Sequence, residues 1–245
     1  SKNVTVNSSN QSSLHGKFPS AGCFCKLFIL TNPMFTRRQF LRTGSLLLLP
    51  SALAQAGAQR EETLADDVAS IMRQSVEHAS PPYLVFDRAT DAQRWLNEMS
   101  ARLTRFIDNE LYRRRLLTMI QYEATRADLN PQMVLGLIEV ESAFRQYAVS
   151  NVGAKGLMQV MPFWQRYIGN ESHNLFDIRT NLRYGCTILR HYSNLENGNL
   201  HRALARYNGS LGSNRYPNAV IGAWLNRWQW TLETQQPAPA ASTAA

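Results

Sequence analysis

Asn130-Pro131-Gln132-Met133-Val134-Leu135-Gly136-Leu137-Ile138-Glu139-Val140-Glu141-Ser142 reads as a helix with its start written into it. Asn is a preferred N-cap, because its side-chain oxygen accepts the orphan N–H groups of the first turn. Pro suits the first helical position, where no N–H is needed. Val134, Leu137, Ile138 and Glu141 then stand at offsets of three and four, on one face. A carboxylate in the last turn of an apolar face must be paired, protonated or useful, since burial disfavours its charged form. On these residues alone Glu141 is open to two readings: a buried acid satisfied by a neighbouring arginine, or a working acid. Glu139, two residues earlier, points elsewhere and reads as a surface or helix-pairing charge.

The same period extends outward in both directions. Leu64, Val68, Met72 and Val76 recur every four residues in a first helix that Ser80-Pro81-Pro82 ends. Tyr83-Leu84-Val85-Phe86 is a short extended piece. Thr90 and Gln93 form a capping-box pair for a second helix, with Trp95, Met99, Leu103 and Phe106 on its inner face. A third runs from about Asn109 to Ala127, and later ones from Ile178 to Glu196, Leu200 to Tyr207, and Pro217 to about Leu232. No stretch alternates with period two for long. The expected fold is all-α, and Cys186, on the apolar side of its helix, is expected to be a small core residue.

Composition bounds the class. The 245 residues are 44% hydrophobic and 18% charged, which excludes collagen-like and wholly disordered chains. A net charge of +8 would suggest nucleic acid, but its location removes that support. Residues 1–54 hold Lys2, Lys17, Lys26, Arg37, Arg38 and Arg42 with no Asp or Glu; beyond them 20 basic residues face 18 acidic ones. No nucleic-acid partner is expected. The leader itself reads as an export signal: Thr36-Arg37-Arg38-Gln39-Phe40-Leu41-Arg42, a short apolar run at Leu46–Leu49, then small residues offering cleavage after Ala54 or Ala56. It resembles a twin-arginine signal, the alternative being a general secretory signal with a chance Arg pair. Both lead out of the cytoplasm, and the expected destination is the periplasm, with no stable membrane anchor after cleavage. Met34 is the expected start, with residues 1–33 a non-native upstream extension. With Cys23 and Cys25 lost, Cys186 is the one cysteine of the mature chain.

Three blocks follow one another in order. Glu141-Ser142-Ala143-Phe144 leads through Ser150-Asn151-Val152-Gly153-Ala154-Lys155-Gly156 into Leu157-Met158-Gln159-Val160-Met161-Pro162, and Ala205-Arg206-Tyr207-Asn208-Gly209 comes later. Together they resemble the catalytic domain of the soluble lytic murein transglycosylases, related in fold to goose-type lysozyme. The similarity runs from about Leu111 to Ala223 and includes Asn174-Leu175-Phe176-Asp177 with Asn181, Gly185 and Leu189. Two positions depart from the family pattern. Arg206 replaces a small or aromatic residue before Tyr, and Gly209-Ser210 replaces Ala-Gly after Tyr-Asn.

The resemblance implies a lysozyme-like helical catalytic domain over residues 109–234. A helical extension of residues 57–108 precedes it, a signal peptide spans 34–56, and a disordered tail runs over 235–245. It implies that Glu141 is the single acid/base, cleaving the β-1,4 bond between N-acetylmuramic acid and N-acetylglucosamine with formation of 1,6-anhydromuramic acid ends. Ser142, Met158, Gln159, Tyr207 and Asn208 would bind substrate, Tyr207 placing its hydroxyl against Glu141 and Asn208 fixing the turn. Ser142 is open to a bond near the acid or a helix-end cap. No cofactor is implied, and His173, His191 and His201 lack metal-ligand spacing. Trp224 and Trp228 read as core, and Arg113–Arg115 as a solvated face. The partner is the peptidoglycan glycan strand, with cell-wall synthesis or secretion machinery as candidate company. Two other readings stand beside this one: a lysozyme-type hydrolase, with Glu171 as its candidate water base, and a non-catalytic peptidoglycan-binding module.

Overall fold

The computed structural model describes residues 59–78 and 80–231. The expectations for residues 1–56 and 235–245 lie outside the described residues. Those described form eight α-helices and one π-helical turn, with two isolated β-bridges in a loop and no strand. The all-α expectation holds.

The helices are α1 Asp66–Glu77, α2 Ala89–Leu103, α3 Glu110–Arg126, α4 Pro131–Ser142, α5 Phe163–Ile168, α6 Ile178–Leu195, α7 Leu200–Asn208 and α8 Arg215–Ala223, continued by the π turn Trp224–Trp228. Helix α4 is the axis, packed by α3, α8 and the π turn. Its start is the one its sequence encodes: the Asn130 side chain accepts from the N–H groups of Gln132 and Met133. Its burial goes beyond one face, because Met133 and Leu135 are buried as well as Val134, Leu137 and Ile138. A helix apolar nearly all round belongs in a core. Gly136 lets the π turn approach, since a Cβ there would lie 2.8 Å from the backbone nitrogen of Trp224.

Helices α1 and α2 join this core rather than standing apart from it. Met72, Val76, Trp95, Met99 and Leu103 lie in the same apolar cluster as α3, α4 and α6. Tyr83–Phe86 is extended but pairs with no strand; Gln121 of α3 clasps Val85, accepting its N–H at 2.9 Å and donating to its C=O at 2.8 Å.

Three local expectations need correction. The Thr90–Gln93 capping box does not form: α2 begins two residues earlier, with Thr90 inside it, and Arg88 at the N-cap pairs with Asp91 at 2.7 Å instead. Asp91 thus supplies the first-turn acid through an ion pair. The last helix ends at the π turn rather than continuing α-helical to Leu232. Arg113 is not on a solvated face; it is buried and donates to the carbonyls of Ile107 and Asp108, tying the α2–α3 connection. Helix α5 carries no capping or periodic signal strong enough to read from its six residues.

Candidate active site

Glu141 sits in the last turn of α4, where the helix stops abruptly. Ala143 and Phe144 both take left-handed backbone, φ 48° and 60°, which turns the chain into the 145–162 loop. Phe144 is compensated by packing against Phe106 and Trp228, at centroid distances of 5.0 and 5.4 Å. The helix end thereby leaves Glu141 inside the protein, at 5% exposure.

The Glu141 carboxyl accepts one hydrogen bond from the protein. Oε1 accepts a 2.5 Å hydrogen bond from the hydroxyl of Tyr216, in the first turn of α8, and Oε2 is buried without a partner. Burial pushes the carboxyl up to about 8, against the smaller opposing pull of the Tyr216 bond. No arginine satisfies it and no second carboxylate contributes to the shift. A carboxyl so placed holds its proton at neutral pH and can give it up to a bound group. Glu139 has a different surrounding: it accepts from the Arg227 guanidinium and from the Trp228 indole N–H at 2.7 Å, so it pairs α4 with the π turn.

The second block forms the loop beside the acid, and its side chains are brackets for its own backbone. Asn181 of α6 accepts from Met158 N–H and donates to the carbonyls of Lys155 and Leu175, each at 2.8 Å. Gly156 is required there: its φ is +78°, and a Cβ would come within 2.4 Å of the Asn181 amide. Ser142 Oγ lies within hydrogen-bond distance of the Leu157 C=O, at 2.8 Å, and of the Ile138 C=O in its own last turn, at 3.2 Å, so it covers a helix-end carbonyl and staples the helix end to the loop. Gln159 Nε2 donates to the carbonyls of Gly156 and Ala148, at 2.9 and 3.2 Å. Met158 is wholly buried against Gly185 and Cys186. Ser142, Met158 and Gln159 therefore turn inward and brace the loop, whose residues 156–160 are buried.

Tyr207 also departs from its expected contact. Its hydroxyl donates to Met158 C=O at 2.7 Å, and the phenol that meets Glu141 is Tyr216. The reason is location: Tyr207 lies on α7, where its hydroxyl reaches Met158, whereas Tyr216 opens α8, which packs along α4. Asn208, buried, is the last residue of α7, before Gly209 at φ 72°. A sequence signal for Tyr216 existed in Tyr216-Pro217, a helix start within the span of family resemblance.

Most of the remaining polar candidates are occupied. Asp177 caps α6 by accepting Thr180 N–H, Glu196 is held by Arg202 and Arg206, and Glu171 is exposed. His173 pairs with the Tyr184 hydroxyl and His201 with Asn218. Cys186 is a buried thiol whose ionisation burial opposes, and Trp228 is core. A group that sequence reading missed is Glu123, fully buried and bonded by Arg126, Arg179 and Arg183, which locks α3 to α6.

With this geometry in view, residues 118–220 match the family model described as "Transglycosylase SLT domain". That segment belongs to the SLT transglycosylase domain family. Among curated relatives, "Membrane-bound lytic murein transglycosylase C" of Actinobacillus pleuropneumoniae serotype 5b is 35% identical over 99 residues, 40% of this chain and 26% of that protein. A "Transglycosylase" of Enterobacteria phage PRD1 is 36% identical over 102 residues, 38% of this chain and 37% of that protein. The chain thus spans roughly a quarter to under two fifths of these relatives' length. A solved structure of the lytic transglycosylase Slt from Pseudomonas aeruginosa, in an inactive mutant, aligns at 21% identity and a TM-score of 0.38, over 68% of this chain and 34% of that one.

Proposed function

We propose that this protein is a lytic transglycosylase that cleaves the β-1,4 bond between N-acetylmuramic acid and N-acetylglucosamine in peptidoglycan. The observation that carries the reading is the Glu141 carboxyl, buried, raised to about 8, free at Oε2 and unaccompanied by a second acid. Glu141 donates its proton to the glycosidic oxygen as the bond from that oxygen to the muramic C1 breaks. The electron-deficient C1 is stabilised by the substrate's own N-acetyl oxygen. The carboxylate left on Glu141 then takes the proton of the muramic 6-hydroxyl, whose oxygen closes on C1. One carboxyl serves both proton transfers, and no water is consumed. Hydrolases of this bond position water with a second carboxylate, and the charge environment of Glu141 offers none among the described residues.

Tyr216 is the positioning residue for the acid. Gln159, Met158, Ser142 and Tyr207 hold the buried 156–159 loop that shapes the glycan site beside the acid, and Asn208 fixes the α7 turn. The catalytic unit is residues 109–234, with 57–108 a helical extension packed onto it. Residues 34–56 direct export to the periplasm by the twin-arginine route, where cell-wall synthesis or secretion machinery would be its company. The test is clearance of purified murein sacculi. The unaltered chain should reduce their turbidity and Glu141→Gln should not, while still sedimenting with them. Equal clearance by both proteins would overturn the assignment of Glu141.

A further inference from the structure

Residues 59–62 cross the protein directly over two of the three sequence blocks. Gln59, at 4% exposure, inserts its side chain so that Oε1 accepts from Trp164 Nε1–H at 3.0 Å and from Met161 N–H at 3.2 Å. Its carboxamide also lies beside the hydroxyl of Tyr207, while its Nε2 is buried without a satisfactory hydrogen-bond partner. Two residues on, Glu61 accepts from the Tyr167 hydroxyl at 2.7 Å and pairs with Arg166. Glu62 pairs with Arg206 at 3.2 Å. Arg206 is the position that departs from the family pattern, and Glu196 and Glu62 are its two ion-pair partners.

We infer that Gln59 is an internal ligand, and that residues 59–62 form a strap that must lift before an N-acetylated glycan can occupy the Glu141 site. This rests on the reading of that site given above. The chemistry of the plug matches the substrate: a carboxamide C=O and N–H present the same acceptor and donor as the acetamido group of the sugars. Met161 N–H belongs to the rigid loop backbone, and the Tyr207 hydroxyl is fixed to Met158, so the slot is preformed and open to whichever amide reaches it. The bonds that hold the strap down, at Glu61 and Glu62, are between partly exposed groups and can be exchanged for water at small cost. The plug is the one deeply buried side chain of the strap, and it leaves a donor unmet, which a better-fitting ligand would satisfy.

Ligand and strap then compete for one slot, and apparent affinity falls in proportion to the time the strap is closed. The experiment uses the full chain and two variants, Gln59→Ala and the pair Glu61→Gln with Glu62→Gln. Sacculus clearance is followed over a range of substrate concentration, and binding of an N-acetylglucosamine tetramer to the same chains carrying Glu141→Gln is followed by calorimetry. Both variants should lower KM and tighten tetramer binding with kcat retained. The gain is about tenfold if the strap is open about a tenth of the time. Because the paired variant leaves Gln59 in place, it decides the matter even if Gln59→Ala fails to fold. A fall in kcat for Gln59→Ala would make Gln59 a substrate contact and overturn the strap, as would unchanged KM and affinity in both variants. Tightened binding with no clearance by any chain would keep the strap and discard Glu141 as the acid.

Discussion

At Glu141, a single hydrogen bond and a shell of apolar groups decide the protonation state, and the consequences are measurable as functions of pH. Donation requires the protonated form, so turnover should decline on the alkaline side with a limb near 8. The Tyr216 bond acts against burial, lowering the proton affinity of the carboxyl. Tyr216→Phe should therefore move the alkaline limb to higher pH and reduce turnover, without the complete loss expected on removing the acid. A limb that stayed in place would show that Tyr216 does not act on Glu141. Stability carries the same signature. Between the ordinary carboxyl value of 4.5 and about 8, the folded chain keeps a proton that the unfolded chain releases, so this residue makes folding less favourable as pH rises through that window. Glu141→Gln has no such proton to lose. Its melting temperature should gain on the unaltered chain between pH 5 and pH 8, by the equivalent of a few kcal/mol at about 1.4 kcal/mol per unit of pH. A constant difference across that range would contradict the raised proton affinity.

At the scale of elements, the active-site loop is held from three helices, through Ser142 on α4, Asn181 on α6 and Tyr207 on α7. Asn181→Ala removes the acceptor of Met158 N–H and the donor to two carbonyls, leaving buried backbone groups unpaired at about 1–3 kcal/mol each. It should lower melting temperature and turnover together, whereas Glu139→Gln should weaken the α4–π-turn pairing and spare turnover. Loss of turnover in Glu139→Gln comparable to that in Glu141→Gln would place the acid on the wrong residue. Much of this architecture was legible in sequence because its signals are local. Asn130-Pro131 starts α4, Asp177 caps α6, and the apolar period of α1 falls on the face that is buried. What escaped reading depends on tertiary partners. Thr90 and Gln93 have the right spacing for a cap, yet the N-cap falls on Arg88, paired with Asp91, two residues earlier. Tyr207 was expected at the acid because it lies in a recognisable block, but the packing of α8 on α4 brings Tyr216 there. Met158 and Gln159 read in sequence as cleft residues, and their side chains are buried, Met158 against α6 and Gln159 on the carbonyls of Ala148 and Gly156.

Across the whole molecule, α1 and α2 share a core with the family-matched segment, and the Glu123 cluster binds that core across α3 and α6. A carboxylate at 0% exposure between three guanidiniums compensates charges that would otherwise be buried unpaired. Glu123→Ala should cost about 3–5 kcal/mol, read by denaturant unfolding, since it strands the arginines; a change within 1 kcal/mol would mean that they relax to solvent. Export is tested on the same scale. Replacing Arg37 and Arg38 together by Lys should leave precursor in the cytoplasm on fractionation, and undiminished export would indicate a general secretory signal. The central claim, however, is that one carboxyl performs both proton transfers and that no water enters the product. Sacculi digested in heavy-oxygen water, followed by mass analysis of the muropeptides, test it most directly. The account predicts 1,6-anhydromuramic ends, lighter than hydrolysis products by the mass of one water and free of label; reducing ends carrying the heavy oxygen as the main product would contradict it.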